Sequence, residues 1–287
     1  MWQLVLGAVM ISFSAVFVKL VTVPPTTSAF YRMLFGGLIL LGVLLWRRER
    51  PRLNSAAFGL VFLAGLFFAA DLALWHRSIL HVGPGIATLL ANFQVFILAV
   101  TGVLLFREHL TRAQMAAIPL AVLGLALLVG SDWSRLPESY RIGVGFGLLT
   151  ACCYAAYILV LRHLRADASA GSAFTAITLV SLMTAVLLGL LMLSQHDSFA
   201  IPDWRNAGWL IAYGIFGQVL GWVLISNGIH KVRASQVGLI LLLQPLFAFI
   251  WDCTFFGRRF SLIEISGAVL ALVAIYLGSL RRPARLK

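Results

Sequence analysis

The chain has 287 residues, of which 61% are hydrophobic and only 11% are charged. A soluble domain carries about 25% charged residues, so this chain has too little polar surface for a water-soluble particle. The composition predicts an integral membrane protein. The net charge of +12 does not indicate nucleic-acid binding, because the basic residues lie in short clusters between apolar runs.

Ten apolar runs follow one another along the chain, each long enough to cross a bilayer as a helix of about 20 residues. The predicted spans are 2–21, 29–46, 56–80, 85–106, 111–130, 142–162, 171–194, 206–230, 234–256 and 261–280. Their hydrophobicity is continuous rather than alternating, which favours an all-α integral membrane protein over a β-barrel.

The basic residues between the spans predict the orientation. Fourteen of the 22 Lys and Arg lie in loops on the side that holds both termini, and five lie on the other side. The positive-inside rule therefore predicts a multi-pass protein of the inner (plasma) membrane with both termini in the cytoplasm. The remaining three, Lys19, Arg32 and Arg77, fall inside spans.

The chain repeats itself at a shift of 150 residues, which places Gln94 on Gln244 and Thr111 on Ser261. This indicates two units of five spans, 1–130 and 142–287. Because five is odd, the second unit has to enter the membrane inverted. Two inverted five-helix repeats around a central cavity are typical of secondary transporters, whose site lies near the bilayer midplane.

Polar side chains inside a bilayer are costly, so each needs a partner or a function. The candidates for substrate binding are Gln94, Gln244, Trp75, His76, Asn92, Gln218, Trp222 and Tyr154. The first two lie roughly 14 Å into their spans at 1.5 Å per residue, close to the midplane. Their amides suit a zwitterion or a heterocycle, with a hydrogen bond that holds the two halves together as the alternative.

The directions of some of these side chains stay open at this point. Asn92 points about 200° away from Gln94 on a regular helix, so only one of the two is expected to face the cavity squarely. Gln218 and Trp222 share a face at i, i+4, although Trp222 also fits a core or lipid-facing position. Glu108 and Gln236 are interpreted as interfacial residues.

Asp71 is the candidate coupling or gating residue, together with Lys19 and Arg32. An isolated carboxylate at this depth is either protonated or paired. One reading is a structural ion pair with Arg32 or Lys19, and the other is a carboxylate that carries a proton. His76 adds a second titratable group five residues further along.

Several segments resemble EamA-type members of the drug/metabolite transporter superfamily. They are the runs Ala70–His76, Ala87–Asn92 and Phe106–Thr111, with Tyr31-Arg32 at the second span and Gln244-Pro245 in the second half. The resemblance implies a ten-helix fold whose first, third, fourth, sixth, eighth and ninth spans line a central cavity. Such proteins move amino acids, purines, vitamins, drugs or sugar-linked metabolites, often outward. The sequence departs from the pattern at Val95, where a proline is common, and at Gly257-Arg258, which replaces Gly-Glu.

We therefore predict a secondary transporter that exports small metabolites by alternating access. Amino acids are the first expectation, including aromatic or other bulky ones as in exporters of the YddG type. Uptake or exchange of a purine, a vitamin or a drug is the alternative, and a non-transporting receptor or scaffold is a further one. The expected partners are the small-molecule substrate and the lipid bilayer, without nucleic acid, and the chain is expected to be a monomer or a dimer.

An intramembrane enzyme is not expected. The sequence has no His-Glu-x-x-His metalloprotease motif and no Walker motif. Its three cysteines, Cys152, Cys153 and Cys253, lack metal-binding spacing, so neither a cofactor nor a metal is expected.

Overall fold

The structure is a computed structural model that describes residues 1–49, 53–107, 109–129, 133, 136–167, 171–229 and 240–280. We number ten helical spans in chain order. They are α1 (Trp2–Ser12 and Ser14–Leu20), α2 (Pro25–Trp46), α3 (Ser55–Val82), α4 (Pro84–Ala91 and Gln94–Phe106), α5 (Arg112–Val129), α6 (Glu138–Ala166), α7 (Ala173–Gln195), α8 (Trp204–Tyr213, Gly214–Leu220 and Gly221–Ile229), α9 (Leu243–Phe256) and α10 (Leu262–Ser279).

The predicted fold class is confirmed. Among the described residues there is no strand, and nine of the helical spans are long and apolar enough to cross a membrane. The tenth, α9, is 14 residues long, and the first part of its predicted span 234–256 lies outside the described residues. Glu108 and Gln236 also lie outside them.

The helices pair in a pattern that follows the internal repeat. Extensive contacts join α3 to α6, α5 to α10, α2 to α7, α1 to α8 and α4 to α9. Each helix of the first unit has its counterpart five positions later, so that α1 corresponds to α6 and α3 to α8. Exchanging every helix with its counterpart turns the α3–α6 contact into the α8–α1 contact. It leaves the other three pairs in place. These five contacts thus have the symmetry that two inverted repeats require.

One of these symmetric pairs, α5 with α10, packs backbone against backbone. A Cβ atom placed on Gly124 would lie 2.7 Å from the backbone nitrogen of Ala271, and one on Gly267 would lie 2.5 Å from that of Leu128. Small residues at helix contacts allow this close approach inside membranes. The small-residue faces Ala117-x3-Ala121 and Gly267-x3-Ala271 therefore pack within the bundle.

Irregular helical turns interrupt four spans. Short turns divide α1 at Phe13 and α4 at Asn92–Phe93, a turn at Leu242 precedes α9, and α8 contains a π-helical stretch, Gly214–Leu220. At the α4 break the amide of Phe93 bonds to the carbonyl oxygen of Leu90, three residues back. The breaks before Gln94 and Gln244 are related by the same 150-residue shift that relates the two glutamines.

The outside of the bundle is apolar, as a lipid-facing surface requires. Leu104 and Leu262 expose 73% and 82% of their side-chain surface. Trp46 and Trp204, near opposite ends of their helices, are 83% and 87% exposed. Tryptophans enriched at the two membrane–water interfaces form aromatic belts of this kind.

Candidate functional site

A cavity of about 170 Å³ lies between the two repeats. It is lined by residues of α1, α3, α4, α6, α8 and α9, which are the six spans that the family resemblance implied, and by Arg32 of α2. Of these spans, four carry the irregular turns described above. Irregular backbone at membrane depth is tolerated where it lines such a cavity.

Gln94 and Gln244 both line this cavity, one from each repeat. Gln94 directly follows the break in α4, and Gln244 is the second residue after the turn at Leu242. The Oε1 atom of Gln94 is buried without a hydrogen-bond partner among the described residues. The two glutamines therefore place amide groups on the cavity from symmetry-related positions.

Asn92 lines the cavity beside Gln94, although the sequence led us to expect only one of the two to face it. The expectation assumed an uninterrupted helix, and the turn at Asn92–Phe93 changes the angle between the two residues. The Nδ2 atom of Asn92 donates to the carbonyl oxygen of Thr88 at 2.8 Å. Its amide nitrogen is thus turned back to its own helix.

Three aromatic residues predicted for the site, Trp75, Trp222 and Tyr154, also line the cavity. The Nε1 atom of Trp222 and the Oγ1 atom of Thr88 are buried and lack a hydrogen-bond partner in the described part of the chain. Buried polar groups are normally satisfied by protein or by water. These cavity-lining atoms are consequently available to a solute or to water.

Arg32 is a buried cation at the cavity, with 5% of its surface exposed. One guanidinium nitrogen donates to the Tyr213 hydroxyl oxygen at 3.0 Å, and the guanidinium lies 5.0 Å from the centre of the Tyr213 ring. The Tyr213 hydroxyl oxygen lies 3.2 Å from Nε2 of His76. The Nε atom of Arg32 has no hydrogen-bond partner in the described segments.

Asp71 faces the same cavity from α3 and is 6% exposed. Arg32 is the cation whose charge acts on its carboxylate. Yet among the described residues no hydrogen bond and no ion pair within 4.0 Å reaches Asp71. The two opposite charges share the cavity without closing onto each other.

Two predicted substrate-binding residues lie away from the cavity. His76 is fully buried, with Nδ1 2.7 Å from the carbonyl oxygen of Leu72 and Nε2 against Tyr213. Gln218 donates from Nε2 to the Ser181 hydroxyl at 2.8 Å. It shares no cavity face with Trp222, because the π-helical stretch changes the angle between them.

The ion pair predicted as one reading of Asp71 is not formed, because neither Lys19 nor Arg32 lies within 4.0 Å of its carboxylate. Lys19 instead lies 3.7 Å from Asp252 of α9. The Asp252 side chain is fully buried and also lies 3.8 Å from Arg258. The amide of Gly85 donates to the same carboxylate at 3.3 Å.

We call Lys19, Asp252, Arg258 and Glu264 the charged cluster. Arg258, in the loop between α9 and α10, lies 3.8 Å from Glu264 of α10. Arg258 also donates to the carbonyl oxygen of Val82, at the end of α3. The charged cluster therefore joins the two repeats. It lies about 10 Å along α1 from the cavity residue Ser12, at 1.5 Å per residue.

The opposite side of the cavity is apolar in the described residues. Leu4 and Ile225 form a small buried cluster with Ile240 and Leu241 around them. Ile225 and Leu241 also line the cavity. The cavity thus lies between an apolar contact on the side of the N-terminus and the charged cluster on the other side.

Sequence reasoning missed three polar residues of the cavity, Ser12, Thr88 and Thr150. Thr88 carried a usable signal, because it lies four residues before Asn92 and so shares its helical face. Ser12 carried none, since its position follows from the break at Phe13. Its Oγ atom accepts a hydrogen bond from Nε1 of Trp251 at 2.9 Å, which links α1 to α9.

Outside the membrane spans, Glu49 ties the end of α2 to the start of α7. Its carboxylate accepts hydrogen bonds from the hydroxyls of Ser172 at 2.6 Å and Thr175 at 2.8 Å. These two bonds hold the pKa of Glu49 below its usual value.

The comparisons with known proteins agree with this architecture. A protein described as an uncharacterized transporter from Archaeoglobus fulgidus is 24% identical over 275 residues, which cover 95% of this chain and 93% of that protein. The uncharacterized transporter YyaM of Bacillus subtilis is 21% identical and covers 89% and 84%. A solved crystal structure superposes with a TM-score of 0.67 at 16% identity, over 96% of this chain and 94% of the other, and shows the same fold.

The sequence profile of the EamA-like transporter family matches twice, over residues 1–130 and 141–280. Both repeats are therefore recognised, and the resemblance described in the sequence is confirmed. A transporter of this kind acts on a small-molecule substrate and resides in a lipid bilayer. The chain belongs to the EamA-like transporter family and is a multi-pass membrane transporter.

Proposed function

We propose that this transporter exports compact amino acids by alternating access. The observation that carries the proposal is the cavity between the repeats, to which Gln94 and Gln244 contribute symmetry-related amides after matching helix breaks. Amides both donate and accept hydrogen bonds, as the polar groups of an amino acid require. The cavity-lining helices of the two repeats, 1–130 and 142–287, move against each other, while α5 and α10 stay packed together.

The size of the cavity favours compact cargo. An apolar protein cavity of about 150 Å³ holds one benzene molecule, and this cavity has about 170 Å³. A small amino acid fits this volume, whereas a whole aromatic amino acid requires the cavity to widen. Aromatic cargo, which the sequence also suggested, is thus the second candidate.

The proposed orientation follows the positive-inside rule, with both termini in the cytoplasm of a cell whose plasma (inner) membrane holds the protein. The charged cluster then lies on the external side. Movement of the halves apart on that side requires Lys19 to leave Asp252. Export ends with that separation and with release of the cargo.

The test is transport in proteoliposomes preloaded with single radiolabelled amino acids. Efflux of at least one small amino acid, blocked in Gln94→Ala and Gln244→Ala, supports the proposal. The same preparation is measured with and without a pH gradient, since proton coupling through Asp71 remains a prediction. Efflux of purines, vitamins or drugs without any amino acid would reject the proposed cargo, and no flux of any solute would favour a receptor or scaffold.

A further inference from the structure

We propose that Arg32 and Asp71 form a two-point charge site that selects zwitterions, with Arg32 binding the carboxylate and Asp71 the ammonium group of the cargo. The inference rests on the proposed function and specifies its recognition chemistry. The charge site would determine which solutes the cavity accepts. It would reject others that are small enough to fit.

Both ionisable side chains are buried and both face the cavity. Arg32 is 5% exposed and Asp71 is 6% exposed. Taking a charge out of water is expensive unless another group compensates it. Tyr213 engages one nitrogen of Arg32, at 3.0 Å, but the Nε atom has no hydrogen-bond partner in the described residues.

The two charges do not compensate each other by contact. No ion pair within 4.0 Å joins Asp71 to any described residue. The other two basic side chains that the sequence places inside spans are engaged elsewhere. Lys19 lies beside Asp252, and Arg77 donates to Thr26 and Gln195 at 3.0 Å. Arg32 and Asp71 are therefore the charged groups that the described residues present to the cavity.

A zwitterion is the solute that matches this arrangement. Its carboxylate and ammonium satisfy one cation and one anion at the same time, and the loaded cavity stays electrically neutral. A simple carboxylic acid leaves Asp71 without the cation that its ionised form needs at this depth, and a simple amine leaves Arg32 without an anion. A neutral heterocycle leaves both charges without an ionic partner. Specificity thus arises as much from the charge left unpaired as from the contact formed.

Arg32 is held in place by groups behind it. The Tyr213 hydroxyl contacts both the guanidinium and Nε2 of His76, and His76 is anchored at the carbonyl oxygen of Leu72. His76 and Tyr213 are positioning residues, since neither lines the cavity. This fixed geometry is what a two-point site needs, because the recognition depends on the separation of the two charges.

The experiment is equilibrium binding to the purified full-length protein in nanodiscs. The twenty amino acids are screened first. The tightest binder is then compared with the carboxylic acid that lacks its amino group and with the amine that lacks its carboxylate, neither of which is larger than the parent. A hydrogen bond to a charged group contributes about 1.5–3 kcal/mol, so each single-charge analogue is expected to bind roughly 10- to 100-fold more weakly.

Charge-removing variants supply the second readout. Asp71→Asn should weaken the zwitterion by roughly tenfold or more and bind the carboxylic acid at least as well as the wild type does. Arg32→Gln should do the same for the amine. Asp71→Glu, which keeps the charge, should keep the preference for the zwitterion. Asp197→Asn and Arg205→Gln, outside the cavity, are the matched controls.

The outcomes separate this inference from the proposed function. If no amino acid binds or moves, the proposed function fails. If amino acids bind but the single-charge analogues bind as tightly, or if Asp71→Asn and Arg32→Gln keep the wild-type order of the three ligands, the charge site is wrong while the proposed function stands. If Asp71→Asn does not fold, the analogue series on the wild type and on Asp71→Glu still decides.

Discussion

Replacement of Asp252 by asparagine removes the central charge of the charged cluster and should open the side of the transporter opposite the termini. The carboxylate is fully buried, with Lys19 at 3.7 Å and Arg258 at 3.8 Å. Asparagine keeps an oxygen that can still accept from the amide of Gly85. The substitution therefore changes mainly the charge, at nearly constant volume.

The expected size of the effect follows from these distances. Charge-assisted hydrogen bonds are about 2.7–2.9 Å long, so both contacts are loose. We take about 1 kcal/mol for each, below the usual contribution of about 1.5–3 kcal/mol. Of the two ion pairs of Asp252, only the one with Lys19 joins the two repeats, so the closed state loses about 1 kcal/mol, which shifts the closed-to-open equilibrium by a factor of about 5.

The assay is labelling of a cysteine introduced at Thr88, which lines the cavity. Cys152, Cys153 and Cys253 are first replaced by serine. A membrane-impermeant thiol reagent is added from the side opposite the termini. Labelling should be about 5-fold faster in Asp252→Asn under conditions where opening limits the rate.

Two further variants make the result decisive. Asp197→Asn is the same chemical change on the same side of the membrane, and this variant should be labelled at the wild-type rate. Lys19→Gln removes the same contact between the repeats and should accelerate labelling to a similar extent. A folded Asp252→Asn protein with unchanged labelling would refute the reasoning that these contacts hold the two halves together.

Three further predictions each test a separate part of the structure. Gln94→Ala or Gln244→Ala should each lower the transport rate roughly 5- to 30-fold in proteoliposomes, with unchanged thermal stability, since each removes an amide worth about 1–2 kcal/mol to bound cargo. Gly124→Leu should lower the free energy of unfolding by about 1–3 kcal/mol in a denaturation series, because no space exists beside it, whereas Gly145→Ala, with nothing within 4 Å, should raise it slightly. Glu49→Gln should lower the midpoint of thermal unfolding at neutral pH: a lowered pKa stabilises the folded state above the ordinary value of about 4.3, and the difference from wild type should disappear as the pH falls through the lowered pKa. Equal midpoints at neutral pH would show that the bonds of Glu49 contribute nothing.

Much of the fold was predictable from hydrophobicity alone. Nine of the ten predicted spans begin and end within about four residues of the observed helical spans, because long apolar runs between basic loops leave few alternatives in a bilayer. The repeat was predictable for the same reason, since breaks and apolar runs recur together. For α9 the start cannot be compared, as it falls outside the described residues.

The sequence predicted which residues lie deep in the membrane, but it did not predict where their side chains point. Gln94 and Gln244 were identified because they lie deep in symmetry-related spans. Gln218 was misplaced because nothing in the sequence around it distinguishes a π-helical stretch from a regular helix. His76 was misplaced because its depth resembles that of Asp71, while its ring points to Tyr213. Lys19 shows a third limit, since its partner Asp252 lies 233 positions away in the chain.

The backbone contact between α5 and α10 supplies a reference distance for kinetic studies of this protein. Gly124 and Gly267 leave no space for one helix to rotate against the other, and neither helix contributes to the cavity. Spectroscopic probes placed on the outer faces of these two helices should report a constant separation through the whole cycle. The α5–α10 distance can then serve as an internal reference for probe distances measured between other helices. A change in those distances at constant α5–α10 separation reports movement of the helices and not a change in the shape of the detergent or lipid particle.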